Sequence, residues 1–240
     1  MIRAVVFDMY ETLITLFDCP VYGSEQMAKD AGILYERFTD LWRLTEDGRT
    51  TGKLTVENVI LHILQDNNCF TEEKYEMIVK KLFRYKKEVF EYMHPEILPM
   101  LVALKEQGLK IGLISNCHSE EAMVIKESVL FPYFDAVCLS YDEGIKKPDR
   151  RIFERCLELL KLNPSECLYV GDGGSNELEV AEEIGMHPAQ AVWYLKPGTK
   201  QPTGRMPEFI NIERPMDVIN VIGTTNVISK ERRDLYGKAK

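Results

Sequence analysis

Ile2-Arg3-Ala4-Val5-Val6-Phe7-Asp8-Met9-Tyr10-Glu11-Thr12-Leu13 is the stretch on which the reading of this chain turns. Ala4 to Phe7 is apolar, rich in Val and too short for a helix, so it predicts a strand buried on both faces. The strand ends on a carboxylate, Asp8. Open α/β sheets bind their ligands in the crevice beyond the carboxyl ends of their strands, which makes Asp8 a candidate nucleophile as readily as the cap of a turn.

Working outward, the pattern after Leu13 turns helical for about eighty residues, with helices expected over 24–31, 34–47, 55–65 and 71–93. In the last of these, Met77, Ile78, Leu82, Tyr85, Val89, Phe90 and Met93 fall three and four apart, with lysines on the other face. From His94-Pro95 onward the chain alternates. Helices are expected over 96–107, 120–130, 151–160 and 177–184, and strands over 110–115, 136–139, 167–170 and 191–195. An exposed loop over 196–207, a short strand at 209–210, a helix over 215–222 and a charged, frayed tail from 229 complete the series.

Such alternation predicts a parallel sheet with helices on both faces. The first strand has to join that sheet, because alone it can hide neither its edges nor its two apolar faces. The helical block is then an insertion hanging above Asp8.

Length and composition bound the function. With 240 residues and 45% apolar content a sizeable core is available. The 38 acidic against 30 basic residues give a net charge of -8, which disfavours nucleic acid and anionic membrane as partners. Neither a secretory leader nor an apolar run of membrane-spanning length is apparent, so the expected location is the cytosol. The six cysteines form no C-x-x-C pair and most lie in apolar segments, so neither disulfide nor zinc is expected.

Three further strand exits carry polar residues: Ser115-Asn116, the basic pair Lys146-Lys147 before Pro148-Asp149, and Gly171-Asp172 with Glu177 five positions on. Taken with Asp8 and Thr12, these resemble the four ordered motifs of the haloacid dehalogenase-like hydrolase superfamily. The resemblance spans nearly the whole chain. It implies the α/β class: a doubly wound parallel sheet, a Rossmann-like core of residues 1–15 and 94–225, with an inserted helical cap at 16–93 and a charged tail at 226–240.

The same resemblance implies roles. Asp8 would attack the substrate to give an aspartyl ester, splitting one difficult displacement in two. Thr12, Ser115 and Asn116 would bind the transferring group, and Lys147 would neutralise its charge. Mg²⁺ would be held by Asp8, Asp172, Glu177 and the main-chain carbonyl of Tyr10. Arg43, Arg49 and Lys53, on the cap around Gly48 and Gly52, are candidates to meet a small anionic substrate such as a phosphate ester.

The sequence departs from the family's phosphatases at Tyr10, where they usually carry a second Asp that protonates the leaving alcohol and then activates water. A phenol with a reference pKa of about 10 donates a proton but is a poor base at neutral pH. The 2-haloacid dehalogenases of the superfamily commonly carry Tyr here, since halide leaves without a proton, and they work without metal. Their fourth motif lacks the metal-binding acid, whereas this chain keeps Asp172 and Glu177. Crowding those acids with Asp8 calls for a cation, which favours a Mg²⁺-dependent phosphohydrolase. A metal-independent dehalogenase and a weakly active phospho-ligand or protein binder are the alternatives.

Overall fold

β1 (Ala4–Phe7) lies inside a six-stranded, wholly parallel sheet. The other strands are β2 (Lys110–Ser115), β3 (Ala136–Leu139), β4 (Cys167–Gly171), β5 (His187–Ala191) and β6 (Ile210–Ile212). Their order is β3-β2-β1-β4-β5-β6. The structure is a computed structural model and describes residues 1–196 and 203–237. No described helix is long and apolar enough to cross a membrane.

All four residues of β1 are fully buried, as the Val-rich run implies. Strand side chains alternate between faces, and the core divides accordingly. Val5 and Phe7 join Leu113, Leu168 and Val170 on one face, and Ala4 and Val6 join Ile114, Cys138 and Tyr169 on the other. The first face is covered by α6 (Ile97–Glu106), which contributes Ile97, Met100, Leu101 and Leu104. Over the second lies α9 (Arg150–Leu160) with Phe153, Cys156 and Leu160, and beside it α10 (Glu177–Glu183) with Leu178 and Ala181. Burial of each large apolar side chain here contributes about 1.5–3 kcal/mol.

Between β1 and β2 the chain forms α1 (Ser24–Ala31), α2 (Tyr35–Leu44), α3 (Glu46–Thr50), α4 (Val56–Asp66) and α5 (Glu72–Glu88), followed by a 3-10 turn at Val89–Tyr92. Thr55 and Thr71 cap α4 and α5 by accepting from the amides of Asn58 and Lys74. The inward residues Phe38, Ile60, Ile63, Ile78 and Leu82 belong to the same continuous apolar cluster as Phe7 and Leu113, and the insertion packs on the core through α7 (Ser119–Glu127) and α8 (Ser140–Glu143). Polar contacts fix its seat. The amide of Val56 donates to Ser119 Oγ at 2.9 Å, and Lys146 pairs with Asp47 at 2.9 Å. Gly52 (φ 72°) lies so close to the carbonyl of Tyr141 that a Cβ would overlap it.

The structure departs from the sequence expectations at several places. The expected helix over 34–47 breaks at Thr45, whose hydroxyl donates to the carbonyls of Leu41 and Trp42. The expected strand at 191–195 is instead β5 at His187–Ala191. Its Pro188 precedes the stretch paired with β6, so the missing N–H costs no ladder bond on that side. The apolar run after it turns back onto the β1 loop, where the Trp193 indole N–H donates to Thr12 O at 2.9 Å. The short helix α8 (Ser140–Glu143) was not expected, α7 spans Ser119–Glu127, and α11 runs from Val218 to Gly237 through the region expected to fray. Residues 197–202 of the expected loop, and 238–240, lie outside the described residues.

Candidate active site

Because β1 sits between β2 and β4 in parallel register, the exits of these three strands lie side by side. Asp8 follows β1 directly, held by its amide donating to Val170 O at 2.9 Å. Lys147 arrives from the loop after α8, and its Nζ donates to Asp8 Oδ1 at 2.5 Å and to Glu177 Oε2. All three side chains are buried.

Glu177, the first residue of α10, has further partners. Tyr169 Oη donates to its Oε2 at 2.8 Å, and the Gly173 amide to its Oε1 at 3.2 Å. A Cβ on Gly171 would overlap the Glu177 carboxylate, so glycine at the tip of β4 admits that acid beneath the strand exit. Asp172 Oδ1 accepts from the Gly174 amide at 2.8 Å, and Thr203 Oγ1 approaches its Oδ2 at 3.2 Å.

Carboxylate oxygens of Asp8, Asp172 and Glu177 lie within 4.8 Å of one another, so these residues could hold a metal ion. Their electrostatics are those of a crowded acid cluster. Burial, then Glu177, pushes the Asp8 carboxyl well above its usual range, against the opposing pull of Lys147. Burial and Glu177 likewise raise Asp172 to about 6. For Lys147 burial disfavours the charge, but Asp8 and Glu177 outweigh it and the ammonium is held.

Asn116 fastens the second strand exit to the lysine loop. Its Oδ1 accepts from the Lys147 amide at 2.8 Å and its Nδ2 donates to the Lys147 carbonyl at 3.0 Å. Its neighbour Ser115 is fully buried and faces no cavity around Asp8. Thr12 is equally buried, with its carbonyl held by Trp193.

Two adjoining cavities open here. The inner, of about 160 Å³, is lined by Asp8, Glu11, Asp172 and Gly174, and the outer, of about 360 Å³, by Glu46, Thr50, His118, Glu121 and Lys146. Tyr10, Asn116, Lys147 and Ser175 line both. Burial and Glu121, with which the phenol hydrogen bonds, push Tyr10 well above its usual range, so it stays protonated.

The expected cap cations lie elsewhere. Arg43 and Lys53 are exposed and line neither cavity. Arg49 is fully buried, 3.7 Å from the Trp42 ring centroid, and donates to Trp42 O at 2.9 Å and Glu46 Oε2 at 2.5 Å. It shapes the wall behind the cavity. Residues that sequence reasoning missed are Glu11, Glu46, Lys86, His118, Glu121 and Ser175. Of these only His118, two positions past Asn116, carried a local signal.

This geometry can support nucleophilic attack. Among the described residues Lys147 engages Oδ1 of Asp8 and no donor engages Oδ2, which leaves one oxygen for the inner cavity. A model of haloacid dehalogenase-like hydrolases matches residues 2–185. The chain belongs to the haloacid dehalogenase-like hydrolase family. This hydrolase is 28% identical over 221 residues to the phosphoglycolate phosphatase of Aquifex aeolicus, covering 92% of this chain and 96% of that one. It is 35% identical over 89 residues to the Rhythmically expressed gene 2 protein of Drosophila melanogaster, a match covering 36% of this chain and 34% of that protein. In fold it resembles the 2-haloacid dehalogenase of Pseudomonas syringae pv. Tomato DC3000, with a TM-score of 0.66 at 22% identity over 93% of this chain and 99% of the other.

Proposed function

We propose that this hydrolase is a Mg²⁺-dependent phosphohydrolase acting on a small phosphomonoester through an aspartyl-phosphate on Asp8. The observation that carries the reading is the acid cluster: three carboxylates meet at the strand exits with one ammonium, Lys147, between two of them. Buried like charges of that kind are relieved by a cation, and a metal-independent dehalogenase has no use for the acid at Asp172.

Asp8 and Asp172, with the Tyr10 carbonyl, would hold the ion, and an all-oxygen donor set suits Mg²⁺. Glu177 stands behind them as the anchor of Lys147. The bound ion would supply positive charge to the phosphoryl oxygens. In the first half-reaction Asp8 Oδ2 attacks phosphorus and the bond to the leaving oxygen breaks. In the second, water attacks phosphorus, phosphate departs and the Asp8 carboxylate is restored. Lys147 holds Asp8 in line and offsets charge on the transferred group, while Asn116 keeps the lysine loop in place.

Residues 16–93 act as the cap over the outer cavity, whose volume of about 360 Å³ leaves room for the leaving group. A relative named for phosphoglycolate supports a leaving group of a few carbons. Six free cysteines support a cytosolic location.

A panel of phosphoesters, including p-nitrophenyl phosphate, assayed with and without Mg²⁺ tests the reading. Metal-dependent release of phosphate that Asp8→Asn abolishes is expected. Tyr10 favours one second reading, dehalogenation, because halide needs no proton. Chloride release from L-2-chloropropionate without metal, and no phosphate release at all, would establish that instead.

A further inference from the structure

We propose that His118 carries the proton to and from the leaving-group oxygen, the task for which Tyr10 leaves no carboxylate in this chain. The inference rests on the phosphohydrolase reading above. In-line displacement sends the leaving group away from Asp8, and beyond the shared rim of Tyr10, Asn116, Lys147 and Ser175, where Asp8 no longer lines the wall, is the outer cavity.

Seven side chains lining that cavity could exchange a proton, and their surroundings separate them; burial and then Glu121 push the Cys117 thiol well above its usual range, so it is a far weaker acid than an imidazolium. Lys147 is bound between Asp8 and Glu177, and Lys146 pairs with Asp47. Burial raises Glu121, but Lys86 and then His118 outweigh it and hold it down at about 2, so it has no proton to give. Glu46, bonded first of all to His118, is also held in its ionised form. Tyr10 is a phenol, a far weaker acid than an imidazolium, and burial with Glu121 beside it makes it weaker still. His118 remains.

The imidazole is oriented from several sides. Glu46 Oε1 lies 3.1 Å from its Nε2, and Glu120 and Glu121 each lie 3.7 Å from its Nδ1. Arg49 Nη1 is 3.2 and 3.4 Å from the two ring nitrogens, a near-equal pair that within the ring plane would collide with Cε1. Arg49 Nη1 therefore lies off the ring plane, while its guanidinium carbon sits 3.7 Å from the Trp42 ring centroid.

The surrounding charges keep a proton there. α3 brings Glu46 and Arg49, α7 brings Glu120 and Glu121, and α5 brings Lys86, which pairs with Glu121 at 2.5 Å. Three carboxylates thus face Arg49, Lys86 and His118, and the cluster is neutral only with the imidazole protonated. Burial opposes that charge, but Glu121, Glu120 and Glu46 overcome it and set His118 at about 9.

The steps balance. As the phosphorus–oxygen bond breaks, His118 gives its proton to the departing oxygen and becomes neutral. In the second half-reaction it takes a proton from the attacking water, whose oxygen bonds phosphorus as Asp8 is released, and the imidazolium is regenerated.

The test compares leaving groups. An alkyl phosphate such as 2-phosphoglycolate needs its leaving oxygen protonated, whereas p-nitrophenolate departs with little help. In His118→Asn, kcat is expected to fall about 10²-fold or more on the alkyl ester and by a factor about tenfold smaller on p-nitrophenyl phosphate. In Glu46→Gln, which keeps the imidazole but removes one carboxylate, the alkaline limb of kcat/KM is expected to move below the parent's position near pH 9. A His118→Asn variant that is folded by circular dichroism and loses equal factors on both esters overturns the proposal and leaves the phosphohydrolase reading standing. If that variant does not fold, an unmoved limb in Glu46→Gln overturns it. A parent that turns over no phosphoester overturns both.

Discussion

Replacing Asp172 by Asn should make the metal-free protein more stable while removing its response to Mg²⁺. The carboxyl is lifted from 3.8 to about 6 by burial and by Glu177, and a rise of that size corresponds to about 3 kcal/mol of preference for the protonated form. The sign follows from linkage: the native state holds this proton more tightly than the unfolded chain. Below about pH 4 both states keep the proton and ionisation costs nothing. From about pH 4 to 6 the cost grows, and above about pH 6 it is present in full. Asn cannot ionise, and its amide oxygen can still accept from the Gly174 amide that now reaches Asp172 Oδ1. Allowing about 1 kcal/mol for the altered contact with Thr203, the net gain is about 1–2 kcal/mol at pH 8 and turns into a loss of up to about 1 kcal/mol at pH 4 and below. For a chain of this length the gain at pH 8 is a rise in Tm of roughly 2–8 °C. Thermal unfolding in EDTA at pH 4 and pH 8, repeated with Mg²⁺, measures both effects. A variant no more stable than the parent at pH 8, or one that Mg²⁺ stabilises as much as it does the parent, would refute the account of the acid cluster.

Lys147→Met should lower stability by about 3–5 kcal/mol, because it leaves Asp8 and Glu177 buried without their shared ammonium; urea unfolding within 1 kcal/mol of the parent would contradict this. Gly171→Ala should cut turnover by about 10²-fold, since the added methyl displaces Glu177 and with it the lysine; steady-state kinetics with unchanged kcat would show that the loop yields freely. Tyr10→Asp should give no gain in kcat on alkyl phosphates, as His118 already moves the proton and a new carboxylate would sit beside Glu121; a clear increase would assign the missing step to position 10 after all.

Strand exits were legible in the sequence because buried parallel strands are short apolar runs that stop at a polar residue, and Asp8, Ser115 and Asp172 mark three such stops. β5 was not legible. His187-Pro188-Ala189-Gln190-Ala191 has no β-branched or aromatic residue, and it is a strand through pairing with β4 and β6 rather than through propensity. The floor of the site was readable for the same reason as the strands, whereas its roof was not. Glu46 and Lys86 reach His118 and Glu121 from helices of the insertion, 72 and 35 positions away in sequence. No local pattern records such a meeting. Arg49 shows the converse: a cation on the expected loop whose partners, Trp42, Glu46 and His118, turn it into part of the wall.

The placement of β1 also sets the order in which the protein can be completed as it leaves the ribosome. Ala4 pairs with Lys110 and with Cys167, so the strand translated first must await neighbours translated much later, at elongation rates of about 5–20 residues/s an interval of roughly 8–33 s before β4 exists. The helices between are made in that interval and can gather their own apolar faces. A nascent chain halted before β4 therefore carries Asp8 but neither Asp172 nor Glu177 to set beside it, and competence for chemistry arrives late in synthesis, with the strand that closes the middle of the sheet.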